Sequence, residues 1–155
     1  MKLETLLGEF CANMNLTPPQ LDENNACALV FNERVHVTIE GSPDHKTAHI
    51  SAQLCPLPEE HRAELLLRLM EDHLFGIATE NNYFGFDPVE EKLLLFKNFQ
   101  LDKTDGVDFL MGLESFVSVF EYWEARLKED SPEFTGALSE TVTASGEETL
   151  AMIRP

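Results

Sequence analysis

The chain has 155 residues, 28 acidic and 11 basic, so its formal net charge is −17 at pH 7. This length is close to that of one domain, and a hydrophobic content of 43% is enough to build a core. The negative field repels nucleic acid and anionic lipid, which excludes both as favoured partners, and no apolar run approaches the ~20 residues that span a bilayer.

The charge also has two open interpretations. It keeps the protein soluble, and it would steer the protein towards basic partners. At the N-terminus, Glu4 falls inside what would be the apolar region of a signal peptide, and no cleavage site follows. The sequence therefore predicts a cytoplasmic protein.

A first helix is predicted over residues 2 to about 14. Its apolar residues recur at 3.6-residue spacing: Leu3, Leu6, Leu7, Phe10 and Met14. Asn15 and the run Thr17-Pro18-Pro19 end this pattern.

Three strands follow, from Cys27 to Phe31, from Arg34 to Glu40 and from Thr47 to Cys55. The second alternates cleanly, with Val35, Val37 and Ile39 on one face. Asn32-Glu33 is predicted to form a two-residue hairpin turn.

A second helix is predicted from the segment beginning at Pro56 to about Thr79. Proline suits the first turn of a helix. The apolar arc is wide: Leu65 and Leu69 lie on one side, and the other side carries Leu66, Met70 and Leu74. A helix apolar over so wide an arc needs cover from two directions, and a partner subunit is a natural source of the second.

A hairpin is predicted from Tyr83 to Leu101, because Asp87-Pro88 initiates a turn between two apolar runs. A last helix is predicted from Val107 to Leu127, with Asp102 and Thr104 as candidate caps. From residue 130 the composition changes to Ser, Thr, Gly and Glu, which predicts a flexible acidic tail over 130–155 that is dispensable for folding.

This order resembles the type III secretion chaperones of the CesT (Tir chaperone) family over residues 2 to about 128. The resemblance depends on Gly85-Phe86-Asp87-Pro88, the apolar run from Leu93 to Phe96, and the late aromatic cluster from Phe120 to Trp123. It implies an α+β fold of order α-β-β-β-α-β-β-α with a twisted antiparallel sheet. It also implies a homodimer without catalysis or cofactor, whose other partners are a secreted effector and the secretion ATPase.

On the basis of the resemblance, two sets of residues are predicted to bind partners. The first helix and the neighbouring strands are predicted to bind the effector through Leu6, Leu7, Phe10, Phe31, Val37, Ile39 and Leu54. The second helix is predicted to form the dimer interface through Leu66, Met70 and Leu74. The alternative interpretation of the effector set is that most of these residues are ordinary core, and alternation favours this for Val37 and Ile39.

The residues give little sign of chemistry. The sequence contains no phosphate-binding loop, dinucleotide fingerprint or nucleophile elbow. Cys55 and His61 have no second close pair that would complete a zinc site. The three cysteines are odd in number and widely spaced, which predicts free thiols.

Three hypotheses follow. The first is a chaperone that binds the N-terminal region of a type III effector and keeps it soluble and export-competent. The second is a general protein-interaction or regulatory module of the same fold. The third is a small enzyme whose site lies among the 28 carboxylates, and the missing motifs count against it.

Overall fold

The computed structural model describes residues 2–130 and 151–153. The elements in chain order are α1 (Leu3–Asn13), β1 (Ala26–Phe31), β2 (Val35–Gly41), β3 (Thr47–Pro56), α2 (Arg62–Asp72), a 3-10 turn (Leu74–Gly76), β4 (Tyr83–Asp87), β5 (Lys92–Gln100), α3 (Gly106–Asp130) and β6 (Ala151–Ile153). The α+β class and the predicted order of the eight main elements are confirmed.

The strands form one sheet in the order β4-β5-β3-β2-β1-β6. Five strands are antiparallel to their neighbours, and β6 adds parallel to β1. Alternation decides which face is buried: in β2, Val35, Val37 and Ile39 are buried while the residues between them are exposed.

Helices α1 and α3 pack against each other, and α3 lies on β3 and β5. Phe109 of α3 links the layers, since its ring packs edge-on against Phe10 of α1 at 5.7 Å and against Phe99 of β5 at 4.9 Å. Close approach is helped by Gly106, where an added Cβ would lie 2.7 Å from the Cβ of Glu9.

The second helix is shorter than predicted at both ends. Pro56 ends β3, and the backbone N–H of Leu57 then donates to the carbonyl of Glu91 at 2.8 Å, so this segment follows the β4–β5 turn and is not helical. At the other end the helix stops at Asp72, because Phe75 and Gly76 adopt the left-handed conformation.

Two local predictions were also wrong. The β1–β2 turn comprises residues 32–34, since Phe31 pairs with Val35. The cap of α3 is Asp105, whose Oδ1 accepts hydrogen bonds from the backbone N–H groups of Val107 (2.9 Å) and Asp108 (2.8 Å). Asp102 and Thr104 lie before that position and do not cap the helix.

Most of the predicted tail lies outside the described residues. Its last described part, 151–153, is the strand β6. The flexibility of 130–155 stays a prediction.

Candidate partner-binding surfaces

The described residues contain an apolar surface at the end of α2 and the start of β4. Its large side chains are all more than two-fifths exposed: Leu67, Met70, Leu74, Phe75, Ile77 and Tyr83. These six residues are called the α2–β4 surface below. Large apolar side chains gathered in one region of a folded protein typically mark an interaction site.

A cavity opens into this surface. Its volume is about 420 Å3, and it is lined by Met70, His73, Leu74, Phe75, Gly76, Asn81 and Tyr83. The side chain of Phe75 stands beside it and is 84% exposed. The surface therefore offers both a protruding aromatic ring and a recess.

The protrusion of Phe75 is built into the backbone. Its φ is 60°, a left-handed conformation that is unusual for a bulky residue. The backbone N–H of Gly76 donates to the carbonyl of His73, and that of Asn81 donates to the carbonyl of Gly76, both at 2.9 Å. Strained backbone of this kind persists where the surroundings hold it, and it is frequent at functional sites.

Helix α3 contacts the loop between α2 and β4 and holds it in place. The indole N–H of Trp123 donates to the carbonyl of Ala78 at 3.3 Å, and the ring packs edge-on against Phe84 at 4.9 Å. Within the loop, the buried Asn82 side-chain amide donates to the carbonyl of Thr79 at 2.6 Å. Leu74, Phe75 and Ile77 thus stand on a loop that is fixed to the core.

A second candidate surface is the edge of β1. This strand pairs with β2 on one side along its whole length. On its other side it pairs with β6 through Leu29, Val30 and Phe31. The backbone N–H and carbonyl of Ala26 are instead hydrogen-bonded to Asp22, and Cys27 and Ala28 have no strand partner on that side among the described residues.

The predicted dimer residues lie partly on the α2–β4 surface. Met70 and Leu74 are exposed, at 53% and 62%, and both line the cavity. Leu66 is half-buried and packs against the core. Leu65 and Leu69, on the neighbouring arc of α2, are buried.

The predicted effector-binding residues are brought together in the core. All seven are buried: Leu6, Leu7, Phe10, Phe31, Val37, Ile39 and Leu54. Their burial agrees with the alternative interpretation, that they are ordinary core residues. A direct role in effector binding stays a prediction.

Phe75 and Ile77, the two most exposed residues of the α2–β4 surface, were not predicted from the sequence. The signal was present in Phe75-Gly76-Ile77, because a glycine that follows a helical pattern favours its end. Ending the helix there would have placed these apolar side chains in a loop.

The cysteines are free, and burial suppresses their ionisation. Cys11 and Cys55 are buried and Cys27 is half-buried. Burial raises the pKa of Cys55 to about 12 and that of Cys27 to about 11. These thiols are therefore poor nucleophiles.

The described residues hold no cluster of three or more His, Cys, Asp or Glu side chains arranged for a metal ion. Among the same residues, none of the helices is both long enough and apolar enough to cross a membrane.

Comparison with known proteins identifies the family of the chain. A family model described as the Tir chaperone protein (CesT) family matches residues 5–124. A search of curated protein sequences finds no match.

Solved structures share the fold. A chain of the HopA1–SchA chaperone–effector complex has a TM-score of 0.65 at 14% identity, covering 78% of this chain and 91% of that one. A chain of the ExsC–ExsE complex has 0.63 at 24% identity, covering 81% and 96%. The complex of the Yersinia pestis type III secretion chaperone SycH with a fragment of YscM2 has 0.63 at 18%, covering 77% and 98%.

The family match spans most of the chain, from α1 to near the end of α3. The chain therefore belongs to the Tir chaperone protein (CesT) family and is a non-catalytic chaperone of type III secretion effectors.

Proposed function

We propose that this chaperone works as a cytoplasmic homodimer that binds the N-terminal region of a secreted effector, keeps it soluble and export-competent, and presents it to the secretion ATPase. The observation that supports this proposal is the exposed apolar α2–β4 surface, found in a chain that belongs to a chaperone family. A surface with so many exposed large apolar side chains calls for a protein partner.

The homodimer is supported by the shape of that surface. In a two-fold dimer, the same patch of both copies meets itself. The α2–β4 surface carries a protruding Phe75 and a cavity of about 420 Å3 side by side. A two-fold axis nearby would let the ring of each copy fill the recess of the other, within an interface on the order of 1,200–2,000 Å2.

The effector is proposed to bind on the opposite edge of the sheet, at β1. An extended segment adds to a sheet edge through main-chain hydrogen bonds, while its side chains occupy neighbouring apolar positions. The buried residues predicted for this role then act as the scaffold that holds α1 and β1 in place. The net charge of −17 favours effector segments rich in Lys and Arg.

Two parts of the proposal rest on the family resemblance and not on geometry. These are the choice of the N-terminal region of the effector and the docking on the secretion ATPase. The main alternative is a general interaction or regulatory module of the same fold, whose partner is not exported. A gene for a secreted effector beside the gene for this chain would favour the chaperone.

Affinity purification from the native cell tests the proposal. The tagged full-length chain should retain a protein that the cell secretes by the type III route, without added nucleotide. A fragment holding only the N-terminal region of that protein should bind as well as the whole. Capture of proteins that are never secreted would contradict the chaperone role and favour the alternative module.

A further inference from the structure

Strand β6 occupies an edge of the sheet that would otherwise be free. Ala151, Met152 and Ile153 pair in parallel with Leu29, Val30 and Phe31 of β1. In the strand order, β1 is the last strand before β6. Without β6, the outward backbone N–H and C=O groups of these residues would be open for pairing with another chain.

This pairing is the shortest in the sheet. β6 pairs along three residues, whereas β3 and β5 pair from Thr47 to Pro56. Parallel pairs are also slightly less stable per residue than antiparallel ones. A strand this short can leave the edge while the rest of the sheet stays intact.

We propose that 151–153 is a built-in occupant of the effector-binding edge, which an incoming effector segment displaces. The inference rests on the proposed function, because it takes β1 as the edge to which the effector adds. The opposite edge, β4, belongs to the α2–β4 surface. β6 and an effector strand on β1 need the same backbone groups, so their binding is mutually exclusive.

The properties of β6 also predict those of the effector segment that displaces it. The displacing segment is extended, apolar over at least three residues, and runs parallel to β1, as β6 does. While the edge is closed, it is protected from unspecific pairing between chains. The apparent affinity for an effector is reduced by the fraction of molecules in which the edge is open.

Proline at position 152 tests the proposal in the full-length chain, because proline fits poorly within a paired strand. Met152→Pro should speed amide hydrogen exchange in the peptide covering 26–31, and Ala144→Pro is the matched control. A fluorescent peptide with the sequence of residues 147–155 should bind Met152→Pro on the order of tenfold more tightly than the wild type. Circular dichroism checks that both variants fold.

A disulfide that holds β6 on β1 tests the opposite case, in which the edge stays closed. Val30 and Met152 are register partners, so Val30→Cys with Met152→Cys should form a disulfide that holds β6 on β1. The oxidised chain should exclude the peptide, and reduction should restore its binding to the level of the reduced double variant before oxidation.

Several results would overturn the proposal. These are equal exchange of 26–31 in the wild type and Met152→Pro, equal peptide binding by both, and peptide binding by the oxidised double variant. Protection of β1 that is lost on dilution would also overturn it, since the strand would then come from a second copy. If the proline variant opens the edge and binds the peptide but no form retains a secreted effector, the occupant stands and the proposed function fails.

Discussion

The indole N–H of Trp123 in α3 donates a 3.3 Å hydrogen bond to the backbone carbonyl of Ala78. The two residues are far apart in sequence, and their contact ties the core to the loop that carries Phe75 and Ile77. Trp123 is almost fully buried, at 1% exposure, as expected for a core tryptophan. The geometry of the α2–β4 surface therefore depends on a side chain that is buried beneath it.

Trp123→Phe should lower the free energy of unfolding by about 1–3 kcal/mol, because the carbonyl of Ala78 loses its donor and the smaller ring leaves a void. It should also weaken self-association. Tyr122→Phe is the control, since Tyr122 is exposed and its hydroxyl contacts only Arg126 among the hydrogen bonds of the described residues. Urea unfolding and light scattering measure both effects. Equal stability of the two variants would contradict the supporting role of the indole.

Phe75→Asp should leave the chain folded and make it monomeric, because an exposed apolar ring becomes a charge in the proposed dimer interface. Phe10→Asp should unfold it, because Phe10 is fully buried and an unpaired buried charge costs several kcal/mol. Circular dichroism and light scattering separate the two results. A folded Phe10→Asp variant that loses the effector would restore Phe10 as a direct contact. A wild type of ~17.5 kDa at micromolar concentration would remove the dimer.

Two glycines should respond to the same substitution with opposite signs. Gly8→Ala in α1 should stabilise the chain by about 0.5–1 kcal/mol, since nothing lies within 4 Å of the added Cβ and alanine favours the helix. Gly106→Ala should destabilise it by about 1–3 kcal/mol, since its Cβ would lie 3.0 Å from the backbone of Glu9. Thermal unfolding measures both. A stabilised Gly106→Ala variant would mean that α1 and α3 are less closely packed.

The thiols should react slowly with a disulfide reagent at pH 8 in the native chain and fully in urea. With a pKa of about 12, the thiolate fraction of Cys55 at that pH is roughly 10⁻⁴. The raised pKa values of Cys27 and Cys55 stabilise the fold fully below the ordinary pKa of 9.0. That contribution is lost as the pH rises from about 9 towards 12. Three labelled cysteines in unfolded protein are expected, and a protected pair would contradict this prediction.

The sequence determined the order of elements and the buried faces of the strands. The reason is geometric: side chains alternate strictly along a strand, so Val35, Val37 and Ile39 share one face whatever surrounds them. The Asp87-Pro88 turn is similarly local, because Oδ1 of Asp87 accepts from the backbone N–H groups of Val89 and Glu90. The composition and this order were also enough to suggest the family.

The tertiary structure decided which apolar residues face outwards. Periodicity places Leu6, Phe10, Met70 and Leu74 alike on apolar helix faces, and only packing shows that the first two are covered and the last two exposed. The end of α2 and the strand β6 were likewise beyond the sequence. The first depends on a loop held by Trp123, and the second on pairing between segments more than a hundred residues apart. Non-local contacts of this kind leave no period in the sequence.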